Sequence, residues 1–453
     1  MNDRIEINNM ISNIKVELRK LVGRPYEMID FIQSVLKPKE IEKKQYGEVY
    51  TPLTLVSEMI MKLEQSYKEQ NNNNSIFSNS NLKWFDPCVG IGNFMVVVYW
   101  KLMFGLKDEI KDKEKRKKHI LTNMLYMSEL NRKNTEIVRL IFDSNTYKLN
   151  LYEGDTLKLD IKNEWGLDGF DVIVGNPPYN NKQKNKGKRG GGASLWSKFI
   201  DISINKLIIN KGYLLYVNPS GWRKPPNIKS KYNGLYNLMC KKNQLIYLSI
   251  HNTSDGIKTF NCGTRYDWYL IQKTKKYKTT IINDENNRIH DLDLDQFNFL
   301  PNYNFNIVKN ILTNKDEDKC EIIFSNSSYE TRKEWMSKVE TTEFKYPCIH
   351  STPKSGTRYY YSSINNKGHF NESKVIFGDS GINDSIIDIN GDYGLTQHSI
   401  GIKIYNIEEG DNIKKAIETE KFKDILLSCS WSNYQIDYIL FTYFKKDFWK
   451  EFI

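Results

Sequence analysis

No two of the six cysteines (Cys88, Cys240, Cys262, Cys320, Cys348 and Cys429) form a CxxC pair, which argues against both a zinc ribbon and a disulfide framework. They read as reduced thiols. HExxH is missing and the six histidines show no ligand spacing, so no metal site is expected. No stretch approaches eighteen consecutive apolar residues, and the opening "MNDRIEINNMISNIKVELRK" lacks the apolar core of a secretory signal. The expectation is a soluble, intracellular monomer, cytoplasmic or nucleoid-associated, with no membrane partner.

What the sequence has in excess is positive charge: 66 Lys and Arg against 55 Asp and Glu, a formal net charge of +11. Such a balance points to a polyanionic partner, because cations that neutralise phosphates gain counterion-release free energy. Asn, Lys and Ile are abundant throughout, so part of the excess is also what coding bias produces, and position must decide. At 453 residues the chain is long enough for two or three domains. Residues 1–45 show helical spacing ("ISNIKVELRKLVG", "MIDFIQSVL") and read as a helical preface. Seven short apolar runs follow, "LKWFDP", "NMLYMSEL", "NLYEGD", "FDVIVGN", "GYLLYVNPS", "QLIYLSIHN" and "RYDWYLIQK". Alternating with helical stretches, they predict an α/β domain with a mostly parallel sheet over 46–285. Beyond, 286–453 loses that alternation and reads as a second, mixed α+β domain.

The first chemical constellation is "WFDPCVGIGNF". An apolar strand runs into Asp86 and Pro87, then Gly90 and Gly92, then a helix beginning near Phe94. Glycines at such a turn let backbone N–H groups approach a ligand. Position 95 is Met, so the third glycine of the dinucleotide fingerprint is missing. A cofactor with an acidic partner and no pyrophosphate fits better: a cationic, amino-acid-bearing nucleoside of the S-adenosylmethionine type. Glu129, after the next run, is placed to accept ribose hydroxyls. The charged stretch "KDEIKDKEKRKKH" (107–119) lengthens its interval from the glycines as a solvated helix or loop. Asp155 in "YEGDTL" could take the adenine amine. Either carboxylate could equally be a helix N-cap.

The second constellation is "DVIVGNPPYNN". Asn176 stands at the carboxyl end of a strand, where ligands of open α/β sheets bind. Its amide oxygen and the Pro177 carbonyl are two acceptors, held in aim by Pro177 and Pro178. Two hydrogen bonds accepted from an exocyclic aromatic amine favour the pyramidal form whose lone pair can attack a methyl group. Tyr179 offers a flat face on which a flipped base could stack. The basic, glycine-rich "NNKQKNKGKRGGGASLW" that follows, with Lys184, Lys186, Lys188 and Arg189, reads as a phosphate-contacting flap at the catalytic rim.

At these motifs the chain resembles the amino-methyltransferase family of S-adenosylmethionine-dependent DNA methyltransferases, and Asn-Pro-Pro-Tyr resembles its N6-adenine branch. Thr51-Pro52 in "GEVYTPLTLVSEMI" is similar to the family's cofactor motif preceding the glycine loop. This order of motifs is the family's gamma arrangement. The resemblance covers about 46–275 and implies a seven-stranded, mostly parallel Rossmann-like sheet, matching the seven runs. It implies S-adenosylmethionine as cofactor, double-stranded DNA as substrate and 286–453 as a target-recognition domain, in which Lys354 and Arg358 of "IHSTPKSGTRYYYSS" would touch DNA. It also makes "GIKTFNCGTRYDWYLIQK" (256–273) a late hairpin, with Phe260 the candidate to pack on the flipped adenine, or equally a core residue. No PD-ExK or HNH nuclease signature occurs, so any restriction activity would lie in a separate endonuclease. RNA methylation, protein glutamine methylation and a non-catalytic specificity subunit are the alternatives.

Overall fold

A computed structural model describes residues 50–179, 194–227, 230, 232–314, 316–431 and 436–453. The helical preface expected over 1–45 lies outside the described residues, as do the cations 184, 186, 188 and 189. By contacts the chain divides into two compact units. One runs up to Trp222 and resumes over Asn237–Leu294; the other comprises Arg223–Tyr236 and Asp295–Ile453.

The first unit begins with helix α1 (Leu53–Gln70), which Pro52 precedes. Leu55, Val56, Met59, Ile60 and Leu63 recur at helical spacing and turn one face inward. Strand β1 (Trp84–Asp86) leads into α2 (Asn93–Gly105). Nearly every residue of α2 is apolar and buried, so this helix sits inside the core rather than on its surface. Then come β2 (Leu125–Glu129), α3 (Arg132–Ile141), β3 (Asn150–Glu153), β4 (Phe170–Gly175), β5 (Ile208–Pro219) and β6 (Gln244–His251). The unit closes with α4 (Thr253–Phe260), β7 (Tyr266–Gln272), β8 (Thr280–Asn283) and β9 (Ile289–Leu292). The charged stretch before β2 forms an exposed helix, Lys113–His119, capped by Asp112.

These strands make one sheet in the order β3-β2-β1-β4-β5-β7-β6-β8-β9. Only β7 and β9 run against the rest. All seven expected runs are strands β1 to β7, and the sheet is mostly parallel as anticipated. It has nine strands rather than seven, because β8 pairs with β6 and β9 with β8. The expected boundary after residue 285 falls between these last two strands. Sequence order reverses between β1 and β4, which opens a crevice at their carboxyl ends.

The second unit is mixed α+β. Strands β10 (Ile322–Ile323), β17 (Ser399–Lys403), β14 (Lys374–Gly378) and β15 (Gly381–Asp388) form one sheet in that order. Strands β11 (Met336–Ser337), β13 (Arg358–Ser362), β12 (Tyr346–Ser351) and β16 (Gly394–Leu395) form the other. Helices Ile407–Glu418 and Glu420–Ser428 follow. Lys374 is wholly buried, and its Nζ donates to Asp388 Oδ2 at 2.6 Å and to the carbonyls of His369 and Glu372. Every donor of that ammonium therefore has an acceptor, the condition under which a buried charge is tolerated.

Candidate active site

The turn after β1 is built from backbone bonds that only a short polar–glycine sequence could make. Asp86 Oδ1 accepts the Cys88 N–H at 3.0 Å, and Val89 N–H donates to the Ser128 carbonyl on β2 at 3.0 Å. The Pro87 carbonyl accepts from Thr156 Oγ1, which also bonds Ser128 Oγ at 2.7 Å. Gly90 and Gly92 take φ of +54° and +101°, a region costly for residues with a Cβ. Gly92 N–H closes onto the Val89 carbonyl, and α2 starts at the next residue.

Glu129 ends β2 and holds this turn. Its Oε2 accepts the Gly90 N–H at 2.9 Å and its Oε1 accepts the Asn131 N–H at 2.7 Å. Asp155 caps the short helix Thr156–Lys158 through Oδ1, which accepts from Leu157 N–H at 3.1 Å. Its other oxygen makes no hydrogen bond among the described residues. The capping reading is thus borne by one oxygen alone. Asp86 is only 1% exposed, and burial, with the negative Glu129 adding to it, pushes its carboxyl up to about 8.

Gly175 ends β4, and it was not foreseen as a site residue. It has φ +155°, and a Cβ there would stand 2.9 Å from Asp86 Oδ1 and 3.6 Å from Cys88 Sγ. A side chain at this position would crowd the Asp86 carboxylate on a backbone conformation that favours glycine. Gly175→Ala is expected to lower unfolding free energy by about 1–3 kcal/mol through strain and crowding, measured by urea denaturation. An unchanged midpoint would mean that the two strand ends have room to separate.

Asn176 follows at the crevice. Its backbone N–H faces the Cys88 sulfur. Its side-chain Nδ2 donates to Thr51 Oγ1 at 3.1 Å, so the amide oxygen points along the other branch. Pro177 is buried and Pro178 half-buried. The Tyr179 ring is half-buried, and its phenol oxygen is enclosed without a hydrogen-bond partner among the described residues. Burial, with Cys262, Tyr266 and Asp267 alongside, pushes that phenol well above its ordinary range. The hydroxyl end is thus inside the protein, and what Tyr179 can offer outward is its ring.

Thr51 joins this group, accepting from Asn176 through Oγ1 and from Asn93 Nδ2 through its carbonyl at 2.7 Å. Pro52 precedes α1, while Phe94 is a buried core residue in the first turn of α2. The expected late hairpin is instead the end of α4 followed by β7, because Asn252 and Asp255 form a capping box that starts a helix. Phe260 is buried edge-on against Tyr266, centroids 4.8 Å apart. Tyr266 in turn stacks on the more exposed His251 at 4.4 Å. Lys354 and Arg358 belong to the second unit, both exposed, Lys354 in the turn between β12 and β13 and Arg358 starting β13. Among the described residues no helix is long and apolar enough to cross a membrane.

Residues 108–260 match the family model of the Eco57I restriction-modification methylase. That segment runs from before β2 to the end of α4, so it holds Glu129, Asp155, Asn176, Tyr179 and Phe260, while Thr51 and the glycine turn lie ahead of it. An uncharacterized adenine-specific methylase of Mycoplasma pneumoniae is 24% identical over 275 residues, 46% of this chain. The chain spans about three-fifths (62%) of that relative's length. Among solved structures, a nuclease-deletion mutant of the Type ISP restriction-modification enzyme LlaGI, in complex with a DNA substrate mimic, has a TM-score of 0.57. It is 12% identical, over 88% of this chain and 46% of that one. The Type IIL restriction-modification enzyme MmeI in complex with DNA has a TM-score of 0.50 at 11% identity, over 90% of this chain and 69% of that one. At such identities the methylase likeness is one of fold.

Proposed function

We propose that the protein transfers a methyl group from S-adenosylmethionine to the N6 amine of a flipped adenine in duplex DNA. The observation that carries this reading is Asn176, placed at the sheet's switch point with its amide fixed by Thr51 and the Asp86 end of β1 against the preceding residue. The cofactor fits the residues present. Asp86 is a buried acid whose ionised form a cation would favour, and Asn93 Oδ1 is a buried acceptor without a partner among the described residues. Asp86, Gly90, Gly92, Glu129 and Asp155 would hold it, and when bound it supplies an electrophilic methyl group. Asn176 Oδ1 and the Pro177 carbonyl accept from the target amine and draw its lone pair out of ring conjugation. No strong base is required, since the proton leaves after the amine has become cationic. Tyr179 stacks the base on its ring.

The basic residues Lys184, Lys186, Lys188 and Arg189, together with Lys354 and Arg358, contact phosphates in this reading, and the region 286–453 selects the target sequence. A separate restriction endonuclease is the partner such a methylase protects against, and the chain acts as an intracellular monomer. The test is expression in a methylation-deficient host, followed by mass spectrometry of digested DNA and single-molecule sequencing. N6-methyladenine at one recurrent sequence is expected. N4-methylcytosine would overturn the choice of base but keep the pocket chemistry, and unmodified DNA would overturn the reading.

A further inference from the structure

In the second unit, the paired strands β12 and β13 turn their two faces to different surroundings. Ile349 and Tyr359 pack with Ile376 and Leu395 between the two sheets, whereas Tyr346, Cys348 and Tyr360 lie with Tyr329, Trp335 and Met336 on the other face. Along that other face, cations rest on aromatic rings instead of on acids. Lys333 and Lys367 stand 5.6 and 5.4 Å from the Trp335 centroid, and Lys345 stands 5.4 Å from that of Tyr346. Neither these three nor Lys338 and Arg358 have a carboxylate partner among the described residues. The acids of the same stretch, Glu334, Glu340 and Glu343, are exposed and pair with none of them.

At the end of this face a bulge leaves His350 unpaired, between Ile349 opposite Tyr359 and Ser351 opposite Arg358. Bulges re-aim a side chain. The His350 ring lies 5.0 Å from that of Tyr360 and 5.1 Å from that of His398, and its Nδ1 meets Thr396 Oγ1 at 2.9 Å. The His398 side chain is 39% exposed and tied to the turn between β14 and β15: its carbonyl accepts the Asp379 N–H at 3.0 Å, and its Nδ1 meets Asp379 Oδ2 at 3.0 Å. A carboxylate oxygen only accepts, so Nδ1 carries the proton and Nε2 of the neutral ring is a lone pair. The other Asp379 oxygen accepts from Ser380 Oγ at 2.9 Å. Neither imidazole uses its Nε2 in a hydrogen bond among the described residues. Burial first, then His398, Arg358 and Lys338, disfavours the charged form of His350, with Asp379 opposing.

We propose that this face of the second unit holds the backbone of duplex DNA, and that a phosphate meets it at His398 and His350, beside Arg358 and Lys338, as His398 Nε2 takes up a proton. The inference rests on the DNA reading above and gives the second unit its contact surface. An anionic oxygen is repelled by a ring lone pair but accepts strongly from an imidazolium N–H. The phosphate also brings the negative charge that lets adjacent imidazoles and cations share one place. A duplex backbone fits because the cations are spread along a sheet face, as phosphates are along a strand.

The test is fluorescence anisotropy of a rhodamine-labelled duplex of mixed sequence titrated with the full chain, at constant ionic strength and without cofactor. As pH falls from about 7 to about 6, affinity should rise about threefold to tenfold, the upper value being one proton bound per phosphate contact. His398→Asn keeps a polar group towards Asp379 and cannot take the proton. It should bind within about twofold of wild type near pH 8 and lose most of the rise at lower pH. If it melts earlier than wild type, His398→Gln makes the same comparison. Arg358 is exposed, and Arg358→Gln should lower the slope of log affinity against log salt by about 0.9. A wild-type affinity indifferent to pH, a rise undiminished in the folded His398 variant, or an unchanged salt slope in Arg358→Gln would overturn the proposal. A wild-type chain that binds no duplex overturns the DNA reading itself, and is distinct from a wild type that binds while the variants match it.

Discussion

Replacing Asn176 with alanine should lower the rate of methyl transfer about 100- to 1000-fold, equivalent to about 3–4 kcal/mol of lost transition-state stabilisation. Affinities for cofactor and DNA should remain near wild type. Binding and catalysis separate here because the amide is not part of the glycine turn. The hydrogen bonds that shape the turn run between Asp86, Cys88, Val89, Gly90, Gly92, Ser128 and Glu129; Asn176 meets the turn with its backbone N–H at Cys88, while its side-chain amide bonds Thr51. The amide oxygen does its work when charge builds on the attacking amine, so its loss falls on kcat rather than on KM. Single-turnover kinetics with calorimetric titration of S-adenosylhomocysteine would show the split. Normal transfer by N176A would mean that the amine is activated by some other group. Loss of cofactor binding instead would mean that the crevice depends on Asn176 for its shape.

Strands β1 to β7 were legible because each is a short, β-branched or aromatic run bounded by turn residues. Strand β9 was not: Ile289, His290, Asp291 and Leu292 carry a mixed, half-exposed pattern at the sheet edge, where little burial imposes alternation. Asp86, Glu129 and Asn176 could be named from sequence because each ends an apolar run, and parallel strands gather those ends along one edge. Asn252 and Asp255 gave a legible helix start, and the hairpin expected around Phe260 overrode it. The Thr51–Asn176 bond could not be read, since it joins a residue just ahead of α1 to the residue after β4 through tertiary packing alone. Gly175 lay in plain sight beside Asn176. What the sequence hid was the close approach of Asp86, which a side chain there would crowd.

Cofactor affinity should rise steeply with pH below about 8 and flatten above it. Asp86 causes this: burial first, then the adjacent Glu129, raises its carboxyl to about 8, so near neutrality it mostly carries a proton in the free protein. The Cys88 N–H bonded to Oδ1 opposes the shift without cancelling it. A cationic amino-acid group needs the ionised acid. Binding therefore releases a proton, and between pH 6 and pH 7 the association constant should increase close to tenfold. Stability of the free protein moves the other way. The folded state holds a proton on Asp86 that the unfolded chain has released, so this contribution is full below the ordinary carboxylate range and is lost as pH rises through about 8. The rise in melting temperature produced by S-adenosylmethionine should consequently be larger at pH 8 than at pH 6. Calorimetry in buffers of different ionisation enthalpy counts the released proton directly, and Asp86→Asn should abolish both the release and the slope while weakening binding at pH 8. A pH-independent affinity in the wild type, or a slope that survives in Asp86→Asn, would take the cation away from Asp86 and leave its buried carboxyl a purely structural cap on the Cys88 turn.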